Sequence, residues 1–187
     1  MPNFTKQAIK DSFLKLLNQQ PLSKISVRSI VEDCGINRMT FYYHFKDIYD
    51  LVEWSCEEDA GKALQGRKTY DTWQQGYVQI FEAVLENKPF IMNVYRCVSR
   101  ERVEAYLYRI TYGLVDGVVE EQAAGMSVRS EDKEFIANTY KYVLVGLMLD
   151  WIKDDMRADP QQLVDKLALV LHGSVAAALE RMRVDRS

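Results

Sequence analysis

Arg38, Met39, Thr40, Tyr42, Tyr43, His44 and Lys46 crowd into one short stretch, G-I-N-R-M-T-F-Y-Y-H-F-K, of a chain of 187 residues. These side chains can make nucleic-acid contacts. An arginine such as Arg38 can bridge O6 and N7 of guanine, and the soft apolar tip of Met39 can press against a thymine methyl. Tyr42, Tyr43, His44 and Lys46 supply hydroxyl, imidazole and ammonium donors for phosphate oxygens, and Thr40 and Ser26 can add hydroxyl contacts. Phosphate contacts would set register, and Arg38 and Met39 are where base sequence would be read.

Such chemistry needs a rigid support. Gly35 suits the positive backbone angle of a helix-ending turn, and Asn37 can cap a new helix starting at Arg38. On that helix Phe41 and Phe45, four apart, share one face as core. Ser26 can cap a short preceding helix running to Cys34, with Val27, Ile30 and Val31 inward. Two short helices joined by a tight turn can lay the second in the major groove while the first crosses the backbone. His44 could instead be a structural histidine, and outside this pattern the aromatic run would read as plain core.

Helical spacing recurs along the rest of the chain and no stretch alternates cleanly enough for a sheet, so the expected fold class is all-α with about nine helices. Ile9, Phe13, Leu16 and Leu17 stripe a first helix ended before Pro21, and Asp47 caps a fourth that links onward over residues 47–65. Q-G-R-K-T at 65–69 interrupts the pattern and marks a boundary. The division expected is a helix-turn-helix domain at 1–50 and a regulatory and dimerisation domain at 51–187. Trp73, Tyr77, Ile80 and Phe81 mark a fifth helix, and N-K-P at 87–89 starts a sixth. A long seventh closes near Gly125. Ser130 opens an eighth, with Phe135, Thr139, Tyr140, Val143, Leu147 and Trp151 expected inward. Asp159-Pro160 starts a ninth, read as continuous through Val170, Leu171, Val175 and Leu179.

Eight of the eleven tyrosines lie after residue 69. Many polar-tipped aromatics suit a cavity for a partly polar ligand, and Trp73, Tyr77, Tyr95, Tyr108, Tyr112 and Tyr140 are the candidate effector-binding residues. Small residues Gly146, Gly173, Ser174 and Ala176 to Ala178 allow close helix approach, so the last two helices are expected to pair with a second copy.

The net charge of −3 does not advertise a nucleic-acid binder. Its distribution leans that way: residues 1–50 hold seven Lys or Arg against five acids, and the deficit lies beyond them. Three widely spaced cysteines, Cys34, Cys56 and Cys97, argue against a disulfide framework or zinc site. No metal, cofactor or catalytic residue is expected: the chain has two histidines, no glycine-rich phosphate loop and no nucleophile beside a plausible base. The start lacks a signal-peptide pattern and no apolar run suggests a membrane span, so the expected location is the cytoplasm.

The run I-S-V-R-S-I-V-E-D-C-G-I-N-R-M-T-F-Y-Y-H-F-K-D-I-Y-D-L, residues 25–51, resembles the DNA-binding domain of the TetR family of bacterial transcription regulators. The resemblance implies a long first helix before the helix-turn-helix, a helical regulatory domain after the fourth helix, and a dimer through the C-terminal helices. By position it puts Asn37, Arg38, Met39, Tyr42, Tyr43 and His44 at DNA, with Ser26 to Arg28 beginning a helix that touches the backbone. Cys34 replaces the usual alanine before the glycine. Ile48 stands where a lysine commonly reaches phosphate, leaving that contact missing or supplied by Lys46. The segment Y-K-Y-V-L-V-G-L-M-L-D-W-I-K-D-D, followed by Asp159-Pro160 and the last helix, resembles the C-terminal domain of a branch including regulators of dihydroxyacetone kinase operons, in which the signal can come from a partner protein. The implied function is a homodimeric, sequence-specific regulator, a repressor released from a palindromic operator by an effector. The alternatives are a regulator or coactivator whose C-terminal domain docks a partner protein and, more remotely, a helical carrier or enzyme.

Overall fold

The computed structural model describes residues 2–63, 69 and 71–185. It is all-α, its helices being α1 (Pro2–Leu17), α2 (Val27–Cys34), α3 (Arg38–His44), α4 (Ile48–Ala63), α5 (Trp73–Glu86), α6 (Lys88–Cys97), α7 (Arg100–Gln122), α8 (Ser130–Lys153), α9 (Pro160–Leu171) and α10 (Ser174–Arg181). One 3-10 turn, Leu22–Lys24, follows α1. The expected boundary at 65–69 falls, but for Thr69, outside the described residues.

Local signals start and stop the elements as their chemistry requires. Ser26 caps α2 by accepting from Ser29 N–H at 3.1 Å, and Ser29 returns a bond to Ser26 N–H at 3.0 Å. Asp47 accepts from Asp50 N–H at 2.8 Å at the head of α4, and Asp159 accepts from Gln162 N–H at 2.9 Å at the head of α9.

The chain divides into two compact units. One comprises residues up to Asp59 together with Asn87–Val103, and the other Ala60–Glu86 with Glu104 onward. In the first, Ile9, Phe13, Ile30, Phe41, Phe45, Leu51 and Val94 share one core, with Phe90, Cys97 and Val98 packed against it. So α6, far beyond residue 50, belongs in one unit with α1, α2 and α3. Its Asn93 side chain accepts from Leu22 N–H at 3.1 Å, and the rings of Phe90 and Phe13 meet edge to face at 6.3 Å. Lys10 on α1 is almost fully buried and reaches Asp59 of α4 at 2.7 Å and the Ser55 carbonyl at 3.3 Å.

In the second unit Tyr77, Phe81 and Trp151 form a chain of edge-on rings at 4.9 and 4.7 Å. The Tyr77 hydroxyl donates to the Leu144 carbonyl at 2.5 Å, and burial pushes its pKa above the ordinary phenol value. Two expectations need correction here. The inner face of α8 is Ile136, Ala137, Leu144, Val145, Met148 and Ile152 with Trp151, whereas Phe135, Thr139, Val143 and Leu147 face outward. Apolar residues occupy both sides of this helix, so periodicity alone could not choose between them. The ninth helix is not continuous either. It ends at Leu171, and Gly173 at φ +66° turns the chain into α10, leaving Val170 exposed. Pro160–Arg181 has the length and apolar composition to cross a membrane, but the break at Gly173 divides it. The twelve residues of α9 span about 18 Å, short of a bilayer core of about 30 Å.

Candidate nucleic-acid interface

The surface begins with the turn between α2 and α3. Gly35 sits at φ +72°, and its N–H returns to the Val31 carbonyl, closing α2 in the left-handed conformation glycine tolerates best. Asn37 then accepts from Thr40 N–H at 2.9 Å and starts α3. Phe41 and Phe45 point into the core with ring centroids 5.8 Å apart, and Phe45 also packs on Trp54 at 5.5 Å. Anchoring that face turns the other outward: Met39 is 78%, Tyr43 83% and Tyr42 47% exposed.

Large apolar side chains at that exposure, side by side on a seven-residue helix, are unusual on a surface without a partner. Arg38 is also exposed, its guanidinium 5.9 Å from the Tyr42 ring centroid, so the phenol both faces outward and steadies the cation. Tyr43 meets His44 edge to face at 5.0 Å, and His44 is half-buried. Thr40 is half-buried, with its hydroxyl 3.4 Å from the Asn37 side-chain oxygen. Lys46 is exposed beyond the helix, its backbone N–H fixed by Asp50 at 2.8 Å. On α2, Arg28 is exposed and its Nε donates to Glu32 at 2.7 Å, which raises the arginine's pKa further. Asp33 turns the other way, to Lys15 at 2.6 Å and the Ser12 hydroxyl at 2.8 Å. These bonds hold its carboxyl below the usual range.

Thus Ser26, Arg28, Asn37, Arg38, Met39, Thr40, Tyr42, Tyr43, His44 and Lys46 all lie on α2, α3 and their flanks. Sequence reading missed two contributors. Lys6 lies over the rings of Phe45 and Trp54, at 5.3 and 5.2 Å, where α3 ends. Asn93 braces the unit from a residue separation of 71, and no local pattern announces it.

The six candidate effector residues separate. Trp73 and Tyr140, with Leu114, Val118, Leu144 and Val175, line a mainly apolar cavity of about 50 Å³. Tyr108 and Tyr112 instead face Lys141, whose ammonium lies 5.0 and 5.9 Å from their ring centroids and 4.4 Å from that of Tyr142. Partial burial, then Asp116, raises the pKa of Tyr112 above the ordinary phenol value. Tyr77 is core, and Tyr95 lies on α6 in the first unit. Among the described residues no three of His, Cys, Asp or Glu gather where they could hold a metal ion, and no disulfide joins Cys34, Cys56 or Cys97.

Known proteins carry the same two-part signature. Residues 11–53 match bacterial regulatory proteins of the tetR family, and residues 71–173 match the transcriptional regulator C-terminal region. The chain is 25% identical over 118 residues to the dhaKLM operon transcriptional activator DhaS of Lactococcus lactis subsp. lactis (strain IL1403), covering 63% of this chain and 62% of that protein. It is 39% identical over 56 residues to the HTH-type transcriptional regulator AcrR of Shigella flexneri, covering 29% and 26%. These matches span less than two thirds of either relative's length. In fold it is similar to the structure of the dihydroxyacetone kinase operon activator DhaS, with TM-score 0.68, 19% identity, and 96% of this chain and 98% of that chain covered. With a C-terminal region match over more than half its length and a tetR-family match across the reading helices, the chain belongs to the TetR family of bacterial regulatory proteins.

Proposed function

We propose that this chain is a cytoplasmic, homodimeric, sequence-specific regulator of transcription whose α3 enters the major groove of an operator. The observation that carries the reading is the split of α3 and its C-cap, with Phe41 and the C-cap residue Phe45 inward and Arg38, Met39, Tyr42 and Tyr43 outward beside a capped helix N-terminus. A helix N-terminus favours phosphate, and Arg38 next to it can reach base edges. Asn37, Thr40, His44 and Lys46, with Ser26 and Arg28 from α2, set the register on the backbone.

The second copy covers the outward stripe of α8, Phe135, Tyr142, Val143 and Leu147, and the exposed Leu169 and Val170 of α9. Apolar side chains in this number on the last long helices support an interface between copies. A twofold dimer reads two half-sites about 34–36 Å apart.

An effector of the second unit releases the operator, through a coupling on the order of 1–3 kcal/mol between the two sites. A second reading has its own support. The relatives named DhaS are activators by name. In that reading a partner protein docks on the second unit, and the DNA-bound complex activates.

Fluorescence anisotropy with duplexes selected by the wild-type chain tests the DNA assignment. Arg38→Ala and Tyr42→Ala lose operator affinity by about tenfold or more while keeping the helical spectrum, since a good arginine–base pair is worth about 1–3 kcal/mol. Unchanged affinity in both variants defeats the assignment. Titration with metabolite pools against protein extract separates the two sources of signal.

A further inference from the structure

We propose that Glu32 is a positioning residue for DNA reading: it holds Arg28 by Nε so that the outer pair of guanidinium nitrogens is presented to the duplex. The inference rests on the proposed DNA-binding role and adds to it a residue of opposite charge, the last kind expected on a face that meets phosphate.

The two acids of α2 are employed differently. Asp33 is bound by Lys15 and Ser12, both of α1, and serves the packing of the unit. Glu32 instead accepts from Arg28 Nε at 2.7 Å, one helical turn away, with the two side chains 61% and 78% exposed. The bond uses Nε alone, and neither Nη nitrogen of Arg28 has another partner among the described residues.

A guanidinium is planar, so fixing Nε on a carboxylate fixes the plane in which the two Nη groups point. Those groups are the fork that grips paired acceptors, whether O6 and N7 of guanine or two phosphate oxygens. The base of the helix is itself held by the Ser26–Ser29 capping box, leaving the arginine's own torsions as the freedom that Glu32 removes. Ordering a long side chain before binding lowers the entropy lost on binding.

Simple electrostatics and positioning predict opposite signs, and this makes the inference testable. An acid near phosphates repels them, so deleting it should tighten binding if charge were its only effect. If Glu32 positions Arg28, deleting it weakens operator binding although the face becomes more positive.

The experiment measures affinity of the full chain for its selected duplex and for a scrambled duplex of equal length, at one salt concentration. It uses wild type, Glu32→Ala, Glu32→Gln, Arg28→Ala and Arg28→Ala/Glu32→Ala. The expected result is that Glu32→Ala binds the selected duplex roughly three- to tenfold more weakly and the scrambled duplex as well or better. Glu32→Gln, which keeps an acceptor for Nε, recovers part of the loss, and Glu32→Ala in the Arg28→Ala background produces none. Melting temperature stays the same throughout, because the pair is exposed. Equal or tighter binding by Glu32→Ala, or the same loss without Arg28, overturns the positioning role and leaves the DNA reading standing. A wild-type chain that selects no duplex overturns both.

Discussion

Removing either partner of the Lys10–Asp59 pair should have unequal consequences, because the two ends sit in different surroundings. Lys10 is 4% exposed and its ammonium has Asp59 at 2.7 Å and the Ser55 carbonyl at 3.3 Å. The Asp59 side chain is 37% exposed. Asp59→Asn therefore leaves a cation in the core with neutral acceptors alone. Breaking a buried pair this way costs about 3–5 kcal/mol when both ends are buried, and the open side of Asp59 reduces this to about 2 kcal/mol. Lys10→Met removes the charge, keeps most of the stem's packing and leaves a carboxylate that water can reach, so the loss is about 0–1 kcal/mol. Hydrogen exchange read by mass spectrometry over α1 and α2 reports the opening of this unit separately from the rest of the chain. A 2 kcal/mol loss raises amide exchange there by about 30-fold, against fivefold or less for Lys10→Met. Equal protection in the two variants, or a larger loss in Lys10→Met, would refute the reasoning, since burial of the ammonium is what orders them.

At Gly35 an added Cβ meets nothing within 4 Å, so Gly35→Ala carries only the backbone penalty of φ +72°, about 1–2 kcal/mol, and Gly35→Asn loses less; thermal melts of the two variants rank them. The Asp33 carboxyl is held below its ordinary value by Lys15 and then Ser12, so its contribution is present above the unfolded carboxylate pKa of about 3.9 and fades as pH falls through the lower folded value. Asp33→Asn should flatten the acid side of the stability–pH curve, and an unchanged curve would remove Asp33 from that balance. Leu147→Asp with Val170→Asp puts charges on the outward faces of α8 and α9 and should yield a folded monomer by light scattering; a persistent dimer would place the interface elsewhere.

The helix-turn-helix was legible because its determinants are local. Ser26, Gly35 and Asn37 act within four residues along the chain, and the four-residue step from Phe41 to Phe45 defines one face of a short helix. Helix α8 was legible as a helix but its faces were not. Phe135 stands beside Ile136, Val143 beside Leu144 and Leu147 beside Met148, so two apolar stripes run along it, one buried and one open. The break at Gly173 was hidden for a related reason, since the small and apolar residues around it fit one helix or two. The membership of α6 in the first unit was out of reach, because Asn93 and Leu22 meet only through the tertiary fold. Among the aromatics of the second unit, spacing found inward-facing side chains. It could not separate core (Tyr77), cavity wall (Trp73, Tyr140) and cation shelter (Tyr108, Tyr112), which differ only in what the neighbouring helix supplies.

Selection of bound duplexes from a random library by the 187-residue chain tests the central claim most directly. The account predicts enrichment of a palindrome whose half-site centres lie one helical turn, or a multiple of it, apart, with the preference at a base pair of each half-site lost in Arg38→Ala. A pool that stays random through successive rounds, or a motif that Arg38→Ala and Tyr42→Ala select unchanged, would contradict it.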